Sequence, residues 1–409
     1  MKLRNAVVTR IMNTLIILLV ACAPSLSTNL PKETAMPSAT SMDLPLPTET
    51  ATPTSKDDFV TQNCSIVLPA APANFTTKGI IPLQDYVTKA TVFLNLETGD
   101  ETKIPGIQKR IDVYAVSPDH RMLAYKIYAA SPGISLTLTD ALNQHSQVSF
   151  VRKDDFALGN WLNNQQLLLG EEGEFVIFNP YTQQGKSYSI ADFPGYDTNN
   201  PQNNRGWVGI DPQSAIAVYK ANGSNIVLLD LGSKKIMAQI FDAYERPPIA
   251  EWTVDGSQAA IIGTTVVGKH PAEAGDNIFG VSRHGQVTQL TYLAEHYGIG
   301  FNIYSLSWSP DSRHIAFWMR IPSNDKWQLA VLDTSTKQVT DYCILSDPYL
   351  HTSTGPSLGL SAPIWSPDGK QLIVEHRLDD SKYVVLLDVT QNLAFQIAQN
   401  ASPIGWMTR

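Results

Sequence analysis

Trp308-Ser309-Pro310-Asp311-Ser312-Arg313-His314-Ile315-Ala316-Phe317 is answered 57 residues later by Trp365-Ser366-Pro367-Asp368-Gly369-Lys370-Gln371-Leu372-Ile373-Val374. Each copy is an aromatic, a Ser-Pro-Asp turn and an apolar strand. A third copy, Val116-Ser117-Pro118-Asp119, leads to Met122-Leu123-Ala124-Tyr125. Looser copies follow Trp161, Ile210 and Trp252, and a truncated one ends the chain at Pro403-Ile404-Gly405-Trp406. The anchor positions 116, 161, 210, 252, 308, 365 and 406 are separated by 45, 49, 42, 56, 57 and 41 residues. Strand-rich repeats of this period are the signature of propeller blades.

Each unit reads as four strands. Proline suits the second position of the turn after the aromatic, and Asp or Gly suits its tight end. An Ile-Ala-Phe type strand follows, then an aliphatic strand ending in Asp, as in Leu329-Ala330-Val331-Leu332-Asp333 and Val384-Val385-Leu386-Leu387-Asp388. A more polar strand closes the unit. A single blade cannot bury both faces alone, so stacking on its neighbours supplies the core. The recurring Trp161, Trp252, Trp308, Trp365 and Trp406 are read as fillers between blades, and Pro310, Asp311, Pro367 and Asp368 as turn residues. These are structural roles.

The two ends complete each other. Gly79 to Leu83, Thr91 to Gly99 and Glu101 to Ile104 read as the second, third and fourth strands of a blade that lacks its first. Ile404-Gly405-Trp406 is a first strand with nothing after it. Joined, they predict an all-β propeller of seven four-stranded blades, the first closed by the C-terminal strand; six blades is the alternative count. Closure removes open sheet edges. The stalk and the C-terminus are then expected on the same blade.

These units resemble the WD40-like (PD40) repeats of TolB-type β-propellers, whose pattern is Trp-Ser-Pro-Asp-Gly, Ile-Ala-Phe, then an aliphatic strand ending in Asp. The resemblance covers nearly all of the chain after residue 78. It is close at 308 and 365, while the copies at 161 and 210 lack the Asp-Gly turn. It implies a fold and no catalytic residue.

The N-terminus carries a different message. Lys2, Arg4 and Arg10 precede an apolar stretch from Ile11 to Ala21, too short to span a bilayer, which needs about 20 residues. That is the pattern of a secretory signal peptide. Leu19-Val20-Ala21-Cys22 resembles the bacterial lipobox, which implies lipidation of Cys22 and cleavage before it. Residues 1–21 are therefore expected to be a signal, 22–57 a Pro/Thr-rich linker, and 58–409 the propeller. Extended at about 3.1 Å per residue, such a linker reaches on the order of 100 Å. The expected location is extracytoplasmic, with the membrane engaged through the lipid.

Composition limits the partners. The chain is 43% hydrophobic and 17% charged, an ordinary globular balance with material for a large core. Its formal net charge is -8, and an acidic body does not favour nucleic acid or anionic membrane surface. Of three cysteines, none sits in a CxxC pair. If Cys22 carries lipid, Cys64 and Cys343 remain, either as one disulfide or as two separate thiols.

A search for chemistry leaves little. Gly355-Pro356-Ser357-Leu358-Gly359 fits the nucleophile-elbow pattern but lies in a loop and has no hydrolase domain after it. His270, Glu273 and Asp276 share one loop without a metal-ligand spacing. Asn222-Gly223-Ser224 is a glycosylation sequon by pattern only. No cofactor motif is present. The longer connections, 192–207, 264–276, 293–304 and 344–362, carry Tyr196, Trp207, Tyr297, Tyr349 and His351. Loops on a rigid scaffold commonly hold binding function, and aromatic side chains suit glycan or peptide recognition. The expectation is a cell-surface binding or scaffolding module for a protein, peptide or cell-wall glycan. The alternative is an extracytoplasmic hydrolase or lyase working in the propeller funnel.

Overall fold

The computed structural model describes residues 59–408 apart from 86–87, 89, 104–113, 129–133, 141–145, 153–156, 172–173, 196–207, 222–224, 243–249, 265–273, 323–325, 347–360 and 379–380. Seven sheets follow one another along the chain, each with four antiparallel strands. In six of them the four lie side by side in sequence order; in the first, the C-terminal strand takes the first strand's place beside Ile80–Asp85. They form a seven-bladed β-propeller. Blade 1 contains Ile80–Asp85, Thr91–Asn95 and Glu101–Lys103. Blades 2 to 5 span 114–152, 157–189, 208–242 and 250–289. Blade 6 contains Asn302–Trp308, His314–Arg320, Trp327–Asp333 and Gln338–Ser346; blade 7 contains Ile364–Trp365, Gln371–Leu378, Ser381–Asp388 and Leu393–Gln399.

The middle strands are apolar on both faces because a neighbouring blade covers each face. Trp318, Trp327, Leu329 and Val331 of blade 6 pack on Trp365, Leu372, Val374 and Val385 of blade 7. Ile373, Val384 and Leu386 of blade 7 pack on Ile81, Leu83 and Leu94 of blade 1, with Trp406 sealed between them at 1% exposure.

The C-terminus closes the ring, displaced from the stretch read in the sequence. Ala401–Pro403 pairs with Ile80–Asp85, and a single bridge joins Ile80 to Met407 beyond it. The N-terminal segment departs from expectation. It does not meet the C-terminus on blade 1. Val60–Gln62 adds a parallel fifth strand to the outer edge of blade 6, and Val67–Leu68 does the same on blade 7. The cause is spatial: free outer edges of both blades lie on the path of the chain before it enters blade 1, and short edge pairing satisfies its backbone.

Candidate binding face

The repeat motif builds the same end of blades 2, 6 and 7, with variants of it in blades 4 and 5. Ser117, Ser309 and Ser366 hydroxyls donate to Asp119, Asp311 and Asp368 at 2.6, 2.5 and 2.6 Å. Each hydroxyl accepts from the amide five residues on, at 2.9 Å in Met122, His314 and Gln371. In blade 5 Thr253 and Asp255 play the same parts. In blade 4, where the pattern departs, buried Asp211 takes the place of the serine and accepts from the Ala215 and Ile216 amides.

From blade 2 to blade 5 these turns are bonded in series. Asn164 accepts from the Asp119 amide at 2.9 Å, and Asn163 donates to the Pro212 carbonyl at 2.7 Å. Gln213 donates to the Asp255 carbonyl at 3.3 Å, and Arg283 pairs with Asp211 at 2.5 Å. The His120 ring meets the Trp406 carbonyl at 2.8 Å. Indole N–H groups join blades 3 to 2, 6 to 5 and 7 to 6, and the C-terminal segment to the start of blade 1. Trp161 donates to Ala115, Trp308 to Glu251, Trp365 to Ser307 and Trp406 to Lys78, at 3.0, 2.9, 3.0 and 3.2 Å. Trp252 is the exception: its indole nitrogen is buried without a partner. The groups of this face are thus largely spent on each other.

The meander forces the remaining connections to the opposite end. With strands antiparallel and in sequence order, first-to-second and third-to-fourth turns share one face; second-to-third turns and blade-to-blade connections share the other. All four long connections, 192–207, 264–276, 293–304 and 344–362, join strands that end on this second face. The strands they join belong to blades 3 to 7.

Its described parts are anchored. A short helix, Leu293–Tyr297, is held by Asn277, which donates to Glu295 at 2.9 Å. Asp276, read in the sequence as a loop acid, is 1% exposed and accepts from the Ile303 amide at 2.9 Å. Tyr297 stacks on Phe301, and burial pushes its phenol up to about 12. Tyr219 reaches the Pro194 carbonyl, its phenol likewise pushed up to about 12 by burial. Trp318 donates to the Ser361 carbonyl at 3.0 Å. Tyr304 meets Trp327 edge-on at 5.8 Å, and the Arg320 guanidinium lies 5.7 Å from the Trp327 ring. The His376 ring meets the Leu345 carbonyl at 2.6 Å, and burial lowers its pKa, keeping the imidazole neutral at pH 7.

On the other side of blade 7, facing blade 1, lies a buried charged set. Arg377 donates to Glu375 at 2.8 Å, and Lys382 lies 3.0 Å from the other Glu375 oxygen, outside hydrogen-bond geometry. Lys382 donates to Ser402 of the closing strand at 2.6 Å. Glu375 is 1% and Lys382 4% exposed, so removing one partner would strand a buried charge. The sequence reading passed over this set, although Glu375-His376-Arg377 interrupts an aliphatic strand and could have flagged it. It also passed over Glu251, on the innermost strand of blade 5, whose carboxyl burial pushes up to about 7.

Cys64 and Cys343 are bonded to each other, with Cα atoms 4.8 Å apart. Cys22, the 355–359 motif, the 222–224 sequon, Tyr196, Trp207, His270, Glu273, Tyr349 and His351 lie outside the described residues. Among the described residues, no group of three or more His, Cys, Asp or Glu is placed to hold a metal ion.

No protein-family model and no curated protein matches the sequence. Among solved structures, TolB from Acinetobacter baumannii is 14% identical, covers 83% of this chain and 68% of its own, with a TM-score of 0.45. An oligogalacturonate lyase in complex with manganese is 14% identical over 79% of this chain and 86% of its own, at 0.49. The β-propeller domain of Cps50 (Swd1) from Myceliophteria thermophila is 11% identical over 77% and 98%, at 0.48.

Proposed function

We propose that this protein is an exported lipoprotein, anchored through Cys22, whose propeller is a binding or scaffolding module for a protein, peptide or cell-wall glycan. The ligand docks on the face of long connections. The observation that carries this reading is the inequality of the two faces. On one face the short turns of blades 2 to 5 are bonded to one another in series; the four long connections join strands that end at the other face, the usual place of binding function. The attachment point supports it. Val60 pairs with Val339, just past the short turn that opens the outer strand of blade 6. The described chain therefore begins at the short-turn end of blade 6.

Photo-crosslinking in intact cells tests the reading. A photoreactive residue replaces Ile299, 69% exposed on the long-loop face, or Val254, 55% exposed on the short-turn face. Glycan-array binding of the purified protein accompanies it. Crosslinks from position 299, or a retained glycan competing with them, are expected. Crosslinks from position 254 alone, or neither partner nor glycan, would overturn it.

A hydrolase or lyase in the funnel is the second reading, and Glu251 is the observation in its favour. It is half-buried on the innermost strand of blade 5, and desolvation raises its carboxyl, the direction a general acid needs. Turnover of a bound glycan that Glu251→Gln abolishes in the folded protein would establish it; binding without turnover leaves the first reading in place.

A further inference from the structure

We infer that residues 59–68 are a second closure of the ring, independent of the C-terminal strand, and that the Cys64–Cys343 disulfide is its lock. A propeller closed only by its last strand depends on one seam, here between blades 7 and 1. In this chain the segment ahead of blade 1 runs along the outer edges of blades 6 and 7 before entering that blade. The Phe59 carbonyl accepts from the Val339 amide at 3.0 Å. Val60, Thr61 and Gln62 pair with Val339, Thr340 and Asp341. The Asn63 and Ser65 amides donate to the Asp341 and Tyr342 carbonyls at 2.8 and 3.0 Å. On blade 7, Asn392 donates to Asn63 at 2.7 Å, and Val67 and Leu68 pair with Ala394 and Phe395. Phe75 packs edge-on against Phe395 at 4.8 Å, and Thr77 donates to Gln371 at 2.7 Å. The path thus crosses both the blade 6–7 seam and the blade 7–1 seam.

The need for a lock follows from the size of the contact. Three paired residues and then two, on exposed outer edges, gain little against the entropy of ordering the segment. A crosslink between positions 279 residues apart removes far more unfolded-chain entropy than a local one. Blade 6 is shaped to receive it. Its outer strand bulges between Asp341 and Leu345, and Cys343 sits in the left-handed region at φ 56. The Asp341 carboxylate holds that bulge by accepting the Cys343 amide at 2.8 Å.

The test uses the oxidised full chain and its Cys64→Ser/Cys343→Ser variant. The Val339 amide, bonded to Phe59, reports the strap in hydrogen exchange. It is expected to exchange at least about tenfold faster in the variant, with blade 3 amides unchanged. Equal protection of Val339 refutes the lock. Ser402→Pro, which weakens the C-terminal pairing, is then placed in both backgrounds. A much larger loss of stability without the disulfide, or folding only with it, is expected of two independent closures. An equal loss in both backgrounds, or failure to fold in both, refutes the second closure; Trp406→Phe repeats the comparison with a milder lesion. The inference does not rest on the binding role, which the crosslinking result addresses separately.

Discussion

Glu251 shows how much one position in a repeat can differ from its counterparts. It stands one residue before the anchor Trp252, where the other blades place Ala115, Asn160, Gly209, Ser307, Ile364 and Gly405. Its backbone does the shared work, accepting from Trp308, while its carboxyl alone among these side chains titrates. Burial raises the pKa from 4.5 to about 7, so the native state holds this proton more tightly than the unfolded chain. Its stabilising contribution is full below about 4.5 and is lost as pH rises through about 7. Glu251→Gln removes that dependence and is expected to be more stable than wild type at pH 8, by about 1–3 kcal/mol. Urea midpoints at pH 5 and pH 8 check this. An unchanged pH dependence in the variant would locate the titration elsewhere.

At the scale of the element, the short turn explains why the motif is read so easily in some blades and poorly in others. The turn closes by a bond from its fourth residue to its first, as from Ser312 to Ser309 and from Gly369 to Ser366. The fourth residue then lies in the left-handed region, at φ 60 in His120, 58 in Ser214, 68 in Gly256, 59 in Ser312 and 69 in Gly369. Glycine takes that conformation without the Cβ penalty. Gly369→Ala meets nothing closer than 3.8 Å, so its cost is conformational, about 1 kcal/mol. Ser312→Gly is expected to gain up to about 1 kcal/mol, reading the same term with opposite sign. Denaturant midpoints of the two variants should move in opposite directions; a shared direction would mean that side-chain contacts, not φ, set the turn.

At the scale of the molecule, the arrangement assigns separate work to the parts. Interblade apolar contacts form the core, bonds between short turns link blades 2 to 5 on one face, and the long connections join strands that end on the other. The proposed anchor is tested at this scale. Cys22→Ala is expected to release the protein to the medium or leave it unprocessed, read by fractionation and mass; unchanged membrane association in the variant would refute lipidation.

The period of 41 to 57 residues, the Ser-Pro-Asp turns and the unmatched strands at the two ends pointed to seven blades, with six as the alternative, and to closure by the C-terminus, because each is a local pattern. Even the departures at 161 and 210 kept the period, so their blades were countable before their turns were understood. Tertiary structure alone decided three things. It showed Asp211 standing in for serine, which depends on reach rather than residue name. It placed Glu375, Arg377 and Lys382 together from two strands, with Ser402 of a third element completing the set. It also laid residues 60–68 along blades 6 and 7, pairings between segments 279 and 327 residues apart with no periodic signal in any of them. Local hydrogen bonding and alternation write themselves into neighbouring residues; contacts across a closed ring depend on how the blades pack, and no window of sequence contains them.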